Sequence, residues 1–320
     1  MPISRFPKPA ATFRKQALAL TWGAWTQLGV AGLTTTHSDW AVDPEPLVLF
    51  TAWLGDSDPR LRDEATDWCV RNWRYLSRTR LKNLLRDQPD DVRLAFGEFA
   101  ATAGKHSGVV WPSATEARNF KVTGRSVLAP LERPSMAWVR LRAMFGVSAR
   151  SEILRCLLSQ AGAASIARLA AVTSYTKRNV ADECETLQRA GVLSVRSTGN
   201  RLYYSLANRL ALEAFVGELP SNRPDWTSIL RITRELVALE ESAVDRSLQT
   251  LPVRVKKMLR LIEDDLAELG IERSFDNIEG ANLWPAVRKL GMETLGAWSI
   301  GEYHEVPSIK VVRRLRPVAK

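Results

Sequence analysis

Three cysteines and three histidines in 320 residues leave little material for metal or redox chemistry. Cys69, Cys156 and Cys184 fall on apolar-periodic segments at spacings that no metal site uses, so they read as small reduced core residues. His37, His106 and His304 are far apart, none in a Glu-x-x-His, Cys-His or nucleophile-elbow context, and His304-Glu305 lacks the i, i+4 placement of a helical zinc site. A Gly-rich phosphate cradle, a dinucleotide fingerprint, internal repeats and low-complexity stretches are also missing. These absences argue against an enzyme and against any metal or cofactor. No run of 18 apolar residues occurs, and the start MPISRFPKPAATFRKQ has no apolar h-region, so no membrane partner is expected and the location expected is cytoplasmic.

What the chain does have is positive charge. Its apolar (45%) and charged (25%) fractions are ordinary for a globular protein, but the net charge of +10 and pI near 9.8 favour a polyanionic partner. The excess is central: residues 111–147 carry 6 Lys/Arg against 2 Asp/Glu and residues 148–208 carry 8 against 4, whereas 209–320 balance at 17 and 17. Length and punctuation divide the chain into an N-terminal helical domain (1–104), a Gly/Pro-containing connector (105–147), a central module (148–208) and a C-terminal helical domain with a basic tail (209–320).

The central module runs SARSEILRCLLSQAGAASIARLAAVTSYTKRNVADECETLQRAGVLSVRSTGNRLYYSL. Ile153, Leu154, Leu157 and Leu158 share one face of a first helix, which opens on a possible cap at Ser151, and Ile166, Leu169 and Val172 stripe a second. In a third helix, about Ser174–Ala190, Val180, Cys184 and Leu187 recur at i, i+4 and i+7 and point inward, and Gly191 closes it as a left-handed cap. That geometry turns Tyr175, Thr176, Lys177, Arg178, Asn179, Asp182 and Glu183 outward. Val192–Arg196 and Arg201–Leu206 then read as two strands around a Gly199-Asn200 turn, a hairpin whose tip carries Arg196, Thr198, Asn200 and Arg201.

Three helices followed by a basic hairpin resemble the winged helix-turn-helix transcriptional regulators of bacteria, the ArsR and MarR groups and related antitoxin repressors. The resemblance rests on Val180, Cys184, Leu187, the run Ala190-Gly191-Val192-Leu193 and the hairpin Arg196–Tyr204, and covers about 60 residues. It implies a mainly α, multi-domain protein with a small β-hairpin wing that binds double-stranded DNA as a repressor. The third helix would enter the major groove and Arg196–Arg201 would touch the backbone or minor groove. A homodimer on a two-fold operator, and a small-molecule effector or protein partner for the flanking domains, are the accompanying expectations. Asp182, Glu183 and Glu185 depart from a strongly basic recognition helix. A non-catalytic scaffold whose winged helix docks a protein is the alternative.

The flanks offer further features, each with two readings. The proline-rich start, with Arg5 and Lys8, is either an arm that reaches along a partner or an inert tail. Arg71, Arg74, Arg78, Arg80, Lys82 and Arg86 alternate with Trp73 and Tyr75, either gripping a nucleic acid or snorkelling from helices whose Trp68, Cys69 and Leu76 pack inward. Asp56 and Asp58 match a nucleotidyltransferase carboxylate pair if a strand precedes Gly55, or a capped turn if Asp58 opens a helix at Pro59. C-terminally, Ile229, Ile232, Leu236 and Leu239, then Val255, Leu259, Ile262 and Leu266, stripe two amphipathic helices. They serve a dimer interface or face the chain's own N-terminal domain. The tail, Lys310, Arg313, Arg314, Arg316 and Lys320, is either solvated or an added phosphate contact.

Overall fold

A computed structural model of the chain describes residues 12–32, 36–244, 250–271, 275 and 278–303. The proline-rich start, His304-Glu305 and the basic tail lie outside the described residues. The protein is mainly helical with one small three-stranded antiparallel sheet.

Helix α2 (Pro44–Leu54) is apolar but for Glu45 and Thr51, and ten of its eleven residues are buried. A helix of that kind must be surrounded. Packed around it are α1 (Thr12–Leu28), α3 (Pro59–Asn72), α4 (Arg78–Leu85), α5 (Asp90–Ser107) and, from far along the chain, α11 (Trp226–Val244). The local starts and stops follow from single residues. Asp58 accepts from the Leu61 amide ahead of Pro59, Ser77 accepts from the Arg80 amide, and Gly108 ends α5 at φ +70°. Three of the buried tryptophans donate their indole N–H to the core: Trp25 to Thr51 Oγ1 (2.7 Å), Trp68 to Leu28 O (2.7 Å) and Trp226 to Ala41 O (2.6 Å).

The segments 1–104 and 209–320, read as separate domains, contribute to one continuous core. Ile229, Ile232, Leu236 and Leu239 of α11 are buried, and the helix lies against α1 and α2 of the same chain. This corrects the dimer-interface reading of that stripe, because its apolar face is already covered. The second stripe splits at Ile262 into α12 (Leu251–Leu261) and α13 (Glu263–Glu268), and α12 packs on α11 and α14 (Leu283–Ser299). Gly291 lets α14 approach α1 closely; a Cβ there would sit 2.7 Å from the Phe13 ring.

Much of the connector is bonded to α3. Asp67 of α3 accepts from the amides of Thr123 (2.9 Å), Gly124 (3.0 Å) and Ser126 (3.1 Å), Arg118 pairs with Asp63 (2.7 Å) and Arg125 with Glu64. It ends in α6 (Ala137–Phe145). Asp58, besides capping α3, accepts from Trp22 Nε1 (2.7 Å), and the segment before Gly55 is α2, so the strand that a nucleotidyltransferase pair needs is a helix there.

Residues 148–206 form a second, smaller unit. It contains α7 (Ala149–Ser159), β1 (Ala164–Ser165), α8 (Ile166–Thr173), α9 (Lys177–Arg189), β2 (Leu193–Thr198) and β3 (Arg201–Leu206), with strand order β1-β3-β2. Ser148, rather than Ser151, caps α7 by accepting from the Arg150 amide, and Ser165 and Thr176 cap the next two helices. Ile153, Leu154, Leu157, Leu169, Val180, Cys184, Leu187, Leu193 and Tyr204 make its core. Burial pushes the Cys184 thiol up to about 12 and the Cys156 thiol to about 11, which leaves both unreactive. Helix α10 (Arg209–Val216) leads back to the large core. No helix among the described residues is long and apolar enough to cross a membrane.

His37 fastens α14. Its Nε2 donates to Trp298 O (2.7 Å), and in the neutral ring Nδ1 accepts from Thr36 Oγ1 (2.9 Å). Burial lowers its pKa to about 4, only partly opposed by the Trp298 bond. With the folded pKa depressed, the neutral ring's contribution is complete above pH 6.5 and is lost as pH falls toward 4. Denaturant titrations across that window should lose about 3 kcal/mol, and His37→Gln should flatten the dependence.

Candidate nucleic-acid interface

Helix α9 owes its orientation to three buried side chains. Val180, Cys184 and Leu187 are 0%, 0% and 5% exposed, which turns the opposite face to solvent. Thr176 accepts from the Asn179 amide (3.2 Å) as the cap, and Thr176, Lys177, Arg178, Asn179 and Asp182 are all exposed. Tyr175 is a correction to the sequence expectation. It is buried, and its phenol lies 2.7 Å from Ser77 Oγ on α4, so it serves the fold instead of an outside partner.

The hairpin places its residues by period-two alternation. Arg196 stands opposite Tyr203 and Thr198 opposite Arg201, so these four share one face of the β2–β3 ribbon. Asn200 is exposed in the two-residue turn, where Gly199 takes φ +57°. Tyr203 was not singled out from sequence, although its position two residues from Arg201 carried the signal. The other face exposes Val195 and Leu202, 37% and 49% accessible.

Charge pairing separates the cations of this unit. Arg155 is buried, Arg150 pairs with Glu183 (3.0 Å), Arg168 with Glu268 and Arg189 with Glu185. Of the eight Lys/Arg between 148 and 208, the remaining four are Lys177, Arg178, Arg196 and Arg201, and none makes an ion pair with a described residue. Two of the three acids on α9 are therefore neutralised, leaving Asp182. Lys177 and Arg178 occupy the first turn of α9, which holds no acid. Cations there oppose the helix dipole, at about 0.3–1 kcal/mol each, so helix stability does not account for them.

What holds this surface in place is a buried charge cluster between the two cores. Arg80 grips Asp43 with both terminal nitrogens (2.5 and 2.6 Å) and reaches Glu45 (2.8 Å). Arg142 bridges Glu45 (2.6 and 2.8 Å) and Glu152 (2.7 and 2.9 Å), and Arg155 closes on Glu152 (2.7 Å). Three guanidiniums thus face three carboxylates, each side chain no more than 7% exposed. Burial alone would raise the acids, but the neighbouring arginines outweigh it at Asp43, which stays well below the usual range, and at Glu152, held at about 2. At Glu45 burial prevails and the carboxyl is raised. Arg80, read from sequence as either gripping a nucleic acid or snorkelling into water, does neither; its inward turn is decided by Asp43 and Glu45, which lie 37 and 35 residues away.

The cluster continues into the turn before α9. Arg80 Nε donates to Thr173 O (3.2 Å) and Asn83 Nδ2 to Ser174 O (2.8 Å), with Ser174 itself at φ +57°. No group of three His, Cys, Asp or Glu side chains among the described residues is placed to hold a metal ion.

Removing one member leaves its partners charged and buried, so Arg142→Met should lower unfolding free energy by about 3–5 kcal/mol in urea titration. Tyr175→Phe, which deletes one hydrogen bond, should cost only about 1 kcal/mol in the same assay. Compared with family models, curated proteins and solved structures, the chain matches none.

Proposed function

We propose that the chain is a sequence-specific DNA-binding transcriptional regulator, with residues 148–206 as a winged helix-turn-helix. In this reading the N-terminus of α9 enters the major groove. Lys177 or Arg178 reads guanine, Asn179 reads adenine, and Arg196, Thr198, Asn200 and Arg201 hold the backbone or minor groove. The observation that carries it is the sorting of cations within residues 148–208: the four Lys/Arg that make no ion pair with a described residue are those on the outward face of α9 and on the hairpin. A polyanion at that face relieves the unfavourable placement of Lys177 and Arg178 and accepts hydrogen bonds from the helix N-terminus. A second copy on a two-fold operator has to pair through a surface other than α11.

The exposed Val195 and Leu202 favour a second reading, a scaffold that docks a protein through the opposite face of the hairpin. Salt separates the two. DNA binding weakens steeply between low and moderate salt because phosphate contacts release counterions, and the scaffold has no duplex affinity to lose. On a duplex selected from a random pool, Lys177→Ala and Arg178→Ala should each cost roughly 1–3 kcal/mol if the residue reads a base, and relax preference at that position. Unchanged affinity and preference in both variants would refute base reading by α9.

A further inference from the structure

Helix α4 and its C-cap carry four cations, Arg78, Arg80, Lys82 and Arg86, and no acid. Arg80 is spent inside the charge cluster. The other three recur at i, i+4 and i+8 and form one exposed ridge, with the neutral Thr79 beside them. None of the three makes an ion pair with a described residue, and Arg78 only donates to Val110 O (3.3 Å). A solvated basic ridge is ordinary on a helix; the way this one is mounted is not. Ser77, Arg80 and Asn83 of the same helix each bond the turn that feeds α9, at Tyr175, Thr173 and Ser174. Asn83 and Arg86 also line, together with Thr176, the groove between α4 and the start of α9; Asp87 and Arg231 stand in the same groove.

We infer that α4 is a second phosphate-binding element, its ridge of Arg78, Lys82 and Arg86 lying on the DNA backbone beside the segment that α9 reads. The inference rests on the DNA-binding reading above. At 1.5 Å per residue the ridge is about 12 Å long, the axial span of roughly three to four phosphates of one strand. Its role is sequence-independent, since phosphate contacts position a protein without reading bases. The rigid mount converts those contacts into a fixed angle of approach for α9.

The test is binding of the full-length chain to a selected duplex with flanks on both sides, titrated against salt. Lys82→Gln/Arg86→Gln should lower the slope of log affinity against log salt by about 2 and weaken binding roughly tenfold to a hundredfold, with the ranking of mutated sites unchanged. The charge-preserving pair Lys82→Arg/Arg86→Lys should restore the slope, which separates charge from folding. A Gln pair with the parental slope and affinity overturns the role of α4 while leaving α9 in place. Loss of the parent's ranking in the Gln pair also overturns it, because the contact would then read sequence. No duplex binding by the unsubstituted chain at any salt removes both proposals together. Parental ranking in Lys177→Ala and Arg178→Ala, with the slope still reduced by the α4 variant, removes base reading alone.

Discussion

Three arginines and three carboxylates sealed between two hydrophobic cores set the geometry on which the rest of this protein depends. Asp43 and Glu45 stand at the start of α2, Arg80 comes from α4, Arg142 from α6, and Glu152 with Arg155 from α7. Apolar packing between the large core and the 148–206 unit would tolerate many relative orientations. Bidentate guanidinium–carboxylate contacts tolerate few, because a small shift strands a charge in a medium that cannot solvate it. The desolvation cost of six ionised groups cancels much of their mutual attraction, so the cluster contributes orientation more than stability.

That orientation reaches the surface through short links. Arg80 holds a carboxylate with one part of its guanidinium and the carbonyl of Thr173 with another, and Thr173 ends α8 three residues before α9 is capped. Asn83 and the Ser77–Tyr175 pair fasten the same turn. The face proposed to meet DNA is therefore a rigid extension of the helical body. The connector contributes through Arg142 of α6 alone, while its Arg118 and Arg125 are tied to α3.

Much of this was readable in the order of residues, and the parts that were share a cause. Val180, Cys184 and Leu187 point inward because a helical period admits one buried face, and Arg201 follows Gly199-Asn200 across a tight turn for equally local reasons. Tyr175 defeated the same logic. Placed one residue before the α9 cap, outside the periodic stretch, it had its direction set by Ser77, 98 residues earlier. The basic excess of the centre likewise suggested one continuous footprint, yet Arg142 and Arg155 are the inside of the molecule.

By itself, then, the sequence determined the helices of the central unit, the hairpin and the inward stripe of α9, since each depends on neighbours within about four residues. Only the tertiary structure decided which charges are buried, that the first and last helical segments share one core, and that α4 braces the turn before α9. A charged side chain carries no local mark of being solvated or paired, and its partner here lies as far as 227 residues away, as for Arg14 and Glu241.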